Sequence, residues 1–199
     1  MDDNKLRSLL SKTNAPVDAE DTSTVPVDTP ITSIPQSIDI ATSAIGVMTA
    51  YQNANRWLDI IKESILMDYG CVYFSNYVHN LAHTMPTRFD KFGDILHTVN
   101  IRVPYPPTGE FPASLPDFVS IFSNIFIILD TIQLALKQFI STTEHTPLAL
   151  SAEELLVDIS KEYTHLYRMQ KVQSITASLL EFDMWVHSYV ENLNQLLDR

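Results

Sequence analysis

Apolar residues recur at three- and four-residue steps through most of this chain. From Ser37-Ile-Asp39 onward, Ile40, Ala44, Met48, Tyr51, Ala54, Leu58, Ile61 and Ile65 form one stripe, which predicts a first helix running to about Met67. Asp68-Tyr-Gly70 reads as a turn, and a second helix is expected from about Cys71 to Val99. Pro86 lies inside it, removes one backbone donor and predicts a kink. Asn100–Ser114 holds Pro104, Pro106, Pro107, Gly109 and Pro112, so it reads as an extended connection. Ser114 is expected to cap a third helix, with Pro116 in the first turn and Asp117 completing a capping-box pattern. That helix is apolar almost all round from Phe118 to Phe139, which predicts the most buried element of the fold. Thr142–Leu150, with Pro147, reads as a loop, and Ser151-Ala-Glu-Glu154 as the capping box of a last helix reaching Arg199. So long a helix does not fit a compact bundle, and a bend or break is expected around residues 171–178.

Residues 1–36 follow another pattern. Pro16, Pro26, Pro30 and Pro35, many Ser and Thr, six acidic residues and no aromatic leave too little apolar surface to offset the entropy of ordering. The segment reads as a disordered or extended N-terminal arm, with residues 37–199 as the helical domain. Leu6, Leu9 and Leu10 make a short candidate docking helix, so the arm is a candidate for binding a protein partner.

Composition narrows the function classes. With 199 residues and 45% hydrophobic content the chain suffices for one domain with a sizeable core, and four glycines disfavour a turn-rich β protein. A net charge of −11 without Lys/Arg clusters disfavours direct nucleic-acid binding. Cys71 is the single cysteine, which excludes an intrachain disulfide and fits a reducing compartment. Residues 1–10 lack an apolar leader, and the run Ile121–Leu136 is interrupted by Ser123, Asn124, Asp130 and Gln133. The expectation is a cytoplasmic protein with no membrane span. Phosphate-loop, serine-hydrolase and zincin motifs are missing from the sequence. Asp183 and His187, beside Trp185, read as a surface or interface pair on the last helix.

Glu162-Tyr-Thr-His165 is the most suggestive chemistry, because positions i and i+3 of a helix share one face. If the third and fourth helices pair about a turn near residue 147, antiparallel partners sum to about 294, and Asp130 falls level with both Glu162 and His165. In the first hairpin, with its turn near residue 69, Asp59 falls level with His79, and His83 follows one turn later. Asp59, His79, His83, Asp130, Glu162 and His165 could then meet at mid-bundle if all six face inward. Carboxylates bridging two hard cations, with imidazoles in terminal positions, would make a dinuclear iron site. On the second helix, however, Val78, Leu81 and Ala82 compete for the core face and push His79 or His83 toward its edge. The quieter reading pairs Asp59 with Lys62 at the surface, and Asp130 with a histidine or tyrosine of the fourth helix.

Over residues 40–190 the helix order and connection lengths resemble the ferritin-like superfamily, an all-α four-helix bundle with a long crossover between helices 2 and 3. Its branch of DNA-protection (Dps-type) proteins is the nearest in local detail. Asn53-Ala-Asn-Arg-Trp57 resembles the first-helix segment ending in His-Trp, with Arg56 where that pattern has the histidine. Phe89-Asp-Lys-Phe-Gly-Asp94 resembles the Asp-x-x-x-Glu motif of the second helix, and Asn100-Ile-Arg-Val-Pro104 the loop after it. Asp94-Ile-Leu-His97 has the form of the ordinary ferritin E-x-x-H motif with Asp for Glu, but it sits at the helix end. The resemblance implies iron binding with ferroxidase-type oxidation, storage or oxidative-stress protection, and assembly into a homo-oligomer. Tyr51, Tyr163 and Tyr167 would then be candidates to lie near the metals. The missing first-helix histidine favours a second reading, a metal-free structural or interaction protein that assembles through its N-terminal arm and long last helix.

Overall fold

The computed structural model describes residues 34–110, 115 and 117–197, with side chains between residues 40 and 195. The expected arm lies outside these residues up to position 33. Among them are five helices: α1 (Ile34–Tyr69), α2 (Val72–Thr98), α3 (Phe118–Thr142), α4 (Thr146–Gln173) and α5 (Leu179–Leu197). The protein is all-α, as the hydrophobic periodicity predicts. Every member of the first stripe, from Ile40 to Ile65, is buried.

The helix ends follow local chemistry. Gly70 closes α1 with φ +68°, a left-handed conformation that a side chain would strain, and its N–H bonds the Leu66 carbonyl at 3.1 Å. α2 continues through Pro86, which sits on its exposed side. The cap of α3 is Asp117 and not Ser114: Asp117 Oδ1 accepts from Ser120 N at 2.7 Å, and Ser120 closes the capping box. α4 starts at Thr146 and not Ser151, because Pro147 falls in its first turn, where a missing N–H costs nothing. The expected break separates α4 from α5 at residues 174–178.

Packing order positions everything that follows. α1 lies against α2 and α3, α4 against α3 and α2, and α5 against α2 and α4. α1 and α3 run antiparallel. The Ser43 and Thr142 hydroxyls meet at 2.8 Å at one end, while the Tyr69 and Phe118 rings lie 5.1 Å apart at the other. Between α2 and α3 the chain returns alongside α1. Gln52 donates to the Thr108 hydroxyl at 3.2 Å, Gly109 N donates to Asn53 Oδ1 at 2.6 Å, and Trp57 Nε1 donates to the Gly109 carbonyl at 3.4 Å. These bonds satisfy backbone groups of a segment that lacks a ladder of its own. A side chain on Gly109 would stand 3.3 Å from the Asn53 amide, which would have to shift by a few tenths of an ångström to admit it.

The core is apolar along its length. At the α1–α2 turn end, Phe74, Phe118, Phe122 and Phe182 pack as an aromatic cluster, to which α5 contributes Phe182. Ser43, Ser75, Asn124 and Asp183 are the buried polar residues among those described. By length and mean hydropathy (1.8), Phe118–Thr142 would suffice to cross a membrane, despite the interruptions in the sequence. It owes that value partly to its outward face, where Val119, Ile127 and Leu134 are exposed.

Candidate functional site

The six candidate ligands fall into four places, and α4 shows why. Its contacts with α3 include Tyr163, whose ring lies 4.7 Å from that of Phe126, and Ser160, which accepts from Gln133 at 3.5 Å. Glu162 therefore points to the α2 side of α4. Arg88 donates to Glu162 Oε1 at 3.1 Å and to the Thr84 hydroxyl at 2.9 Å, and Tyr77 donates to Glu162 Oε2 at 3.0 Å. Both members of the ion pair are partly buried, with side-chain exposures of 13% for Arg88 and 23% for Glu162. Burial, then the Glu162 charge, pushes the Tyr77 phenol well above its usual range.

His165 turns to α5, where its Nδ1 and the Tyr189 hydroxyl are 2.7 Å apart. Asp130 faces solvent. Its neighbours Ile125, Ile128, Leu129 and Ile132 occupy the buried rows of α3, and position 130 falls on the opposite side of the helix. The apolar run around Asp130 thus does not imply a buried carboxylate.

Asp59, His79 and His83 do come together, on the outer groove between α1 and α2 that Asn55, Arg56, Lys62 and Glu63 also line. The two imidazole Nε2 atoms are 3.1 Å apart, and His79 Nδ1 stands 3.8 Å from Asp59 Oδ1. Phe74, Val78, Leu81, Ala82 and Met85 hold the core face of α2, which leaves the histidines at its edge.

Mid-bundle convergence therefore does not occur. Among the described residues, no three His, Cys, Asp or Glu side chains stand close enough to hold one metal ion. Tyr51, Leu58, Ile125, Leu129 and Ile159 are instead among the fully buried residues of the interior. The six side chains, as placed, do not converge on one centre. Tyr51 is fully buried, its hydroxyl makes no hydrogen bond, and burial raises its pKa. Tyr163 packs against Phe126 and Tyr167 is exposed. Asp90, Asp94 and His97 are exposed at the far end of α2.

Sequence reasoning missed the partners that organise these groups. Arg88 and Tyr77 carry no sequence signal for this role, because the pairing of α2 with α4, unlike the two hairpins, has no turn from which to count its register. Asp183 and His187 are not a surface pair. Asp183 is 5% exposed and accepts from Tyr73 N at 3.2 Å and Phe74 N at 2.8 Å, while His187 stacks on Tyr73 with centroids 4.2 Å apart. A carboxylate between Phe182 and Trp185 on an amphipathic helix was the available signal. Neither a family model nor a curated protein matches this sequence.

Proposed function

We propose that this chain is a structural or interaction protein, a ferritin-like bundle with an apolar interior that self-associates through the outward face of α3. The ferritin-like arrangement is supported by two hairpins joined by a connection that runs back along α1, with α3 antiparallel to α1. Use of the bundle as a scaffold is supported by Glu162, whose oxygens are taken up by Arg88 and Tyr77.

The observation that carries the interaction reading is the exposed stripe on α3. Val119, Ile127 and Leu134 are 57%, 54% and 68% exposed and lie along one outward face of α3. Exposed Ser123, Asp130 and Thr131 share that face, and each copy would also bring its Asp130 carboxylate to within one helical turn of Ile127. The stripe is nearly symmetric about Ile127. In an antiparallel pair of α3 helices, Ile127 would meet its own copy, Ser123 would lie level with Thr131, and Val119 with Leu134. Such self-complementarity is what a two-fold interface requires, and the small hydroxyl residues permit close approach. A second copy of the chain is therefore the proposed occupant. The expected long last helix is not needed as an assembly arm, because α5 folds back on α2 and α4. Light scattering on the purified chain tests the reading: an assembly of even copy number supports it, and a monomer at all concentrations opposes it.

A further inference from the structure

The groove between α1 and α2 contains a two-histidine arrangement that the scaffold reading does not use. His79 and His83 lie one helical turn apart on α2, with their rings at 89° and their Nε2 atoms 3.1 Å apart. Two nitrogens bound to one ion at 2.0–2.1 Å are separated by about 2.9 Å for a right-angled chelate and about 3.4 Å for a tetrahedral one. The observed separation falls between these values; as it stands the two rings share a hydrogen bond, one Nε2 donating to the other, and an ion would replace the shared proton.

The other side of His79 has the matching feature. Its Nδ1 is buried, makes no hydrogen bond, and faces Asp59 Oδ1 at 3.8 Å from the neighbouring helix. A ligating imidazole commonly directs its second nitrogen to a carboxylate, which fixes the tautomer and the ring orientation. Here the carboxylate comes from α1 and the ligands from α2. Of the groove's two cations, Lys62 is engaged by Glu63 at 2.9 Å and stands 3.8 Å from Asp59, and Arg56 is exposed.

We propose that His79 and His83 chelate a divalent transition-metal ion through their Nε2 atoms, with Asp59 as the positioning residue for His79 and water completing the coordination. Imidazole pairs suit zinc, copper and nickel better than calcium or magnesium, which take oxygen ligands. The site lies on the surface, apart from the bundle interior and from the outward face of α3, and it does not depend on the proposed self-association.

The test is calorimetric titration of the full, chelator-treated chain with Cu(II) and Zn(II), together with electron paramagnetic resonance of the Cu(II) form. One ion per chain and a spectrum showing two coupled nitrogens are expected. His79→Gln and His83→Gln should each remove one coupled nitrogen and weaken binding by more than the roughly tenfold expected for Asp59→Asn. His145→Gln serves as a control and should leave affinity unchanged. All four positions are surface positions, and circular dichroism checks that each variant is folded. Absence of saturable binding, or affinities of the His79 and His83 variants within twofold of the parent, would overturn the proposal.

Discussion

Asp183 Oδ1 accepts a 2.8 Å hydrogen bond from Phe74 N, so the last helix caps the second across 109 positions of sequence. Its other oxygen takes Tyr73 N at 3.2 Å, and no side chain of the α2 N-cap residue, Cys71, does this work. A buried carboxylate on two N-terminal amides is stabilised by hydrogen bonding and by the helix dipole together. Asp183→Ala should lower unfolding free energy by about 1–3 kcal/mol, and Asp183→Asn by less, since the amide oxygen still accepts one bond. Urea denaturation followed by circular dichroism measures both, and equal losses would argue that the charge and the caps contribute nothing separable.

The Arg88–Glu162 pair makes a different prediction. Removing one partner leaves a partly buried charge without its counter-ion, so Arg88→Met and Glu162→Leu should each cost about 1–3 kcal/mol. The double variant should recover much of that loss, because an apolar pair needs no compensation. A double-mutant cycle in urea decides this. Additive losses would mean that the two side chains are independently solvated and that the α2–α4 seam is held by its apolar contacts alone.

Gly70 sets the angle between α1 and α2. At φ +68°, Gly70→Ala should destabilise the fold by about 1 kcal/mol through backbone strain, since open space surrounds the position and no clash contributes. A variant as stable as the parent would show that the turn relaxes to another conformation.

Alkaline pH should weaken the fold. Burial raises the Cys71 thiol from 9.0 to about 11, with the Asp183 charge adding to it, and burial likewise raises Tyr51 and Tyr77 above 10.0. The unfolded chain releases these protons at the ordinary values while the folded chain retains them. Stability is therefore full at neutral pH, begins to fall above about pH 9, and keeps falling as pH rises through the folded values. Urea midpoints measured from pH 7 to 11 should decline in that order. A constant midpoint would contradict the assigned burial of the three groups.

The helices themselves were legible because burial imposes a period on the chain. Each residue of the Ile40–Ile65 stripe is buried, and Asp59 meets His79 at the level counted from the turn. Two boundaries were misread where a residue type has two roles. Pro147 marks a loop in one context and the first turn of a helix in another, and Ser114 competed with Asp117 for the same cap. The candidate site was legible only in part, since level along a helix can be counted but facing direction cannot. Asp130 and Glu162 share a level, yet one faces solvent and the other α2. Facing depends on which side chains win the core, and on α3 the isoleucines and Leu129 exclude the carboxylate.

Sedimentation velocity of the full chain beside Ile127→Asp tests self-association through α3. Ile127 is 54% exposed, so the substitution should leave the fold and its melting temperature nearly unchanged while placing two carboxylates at the proposed two-fold axis. A dimer or larger even assembly that dissociates to a folded monomer in the variant is the predicted result. An unchanged sedimentation coefficient, whether both chains are monomers or both remain assembled, would contradict it.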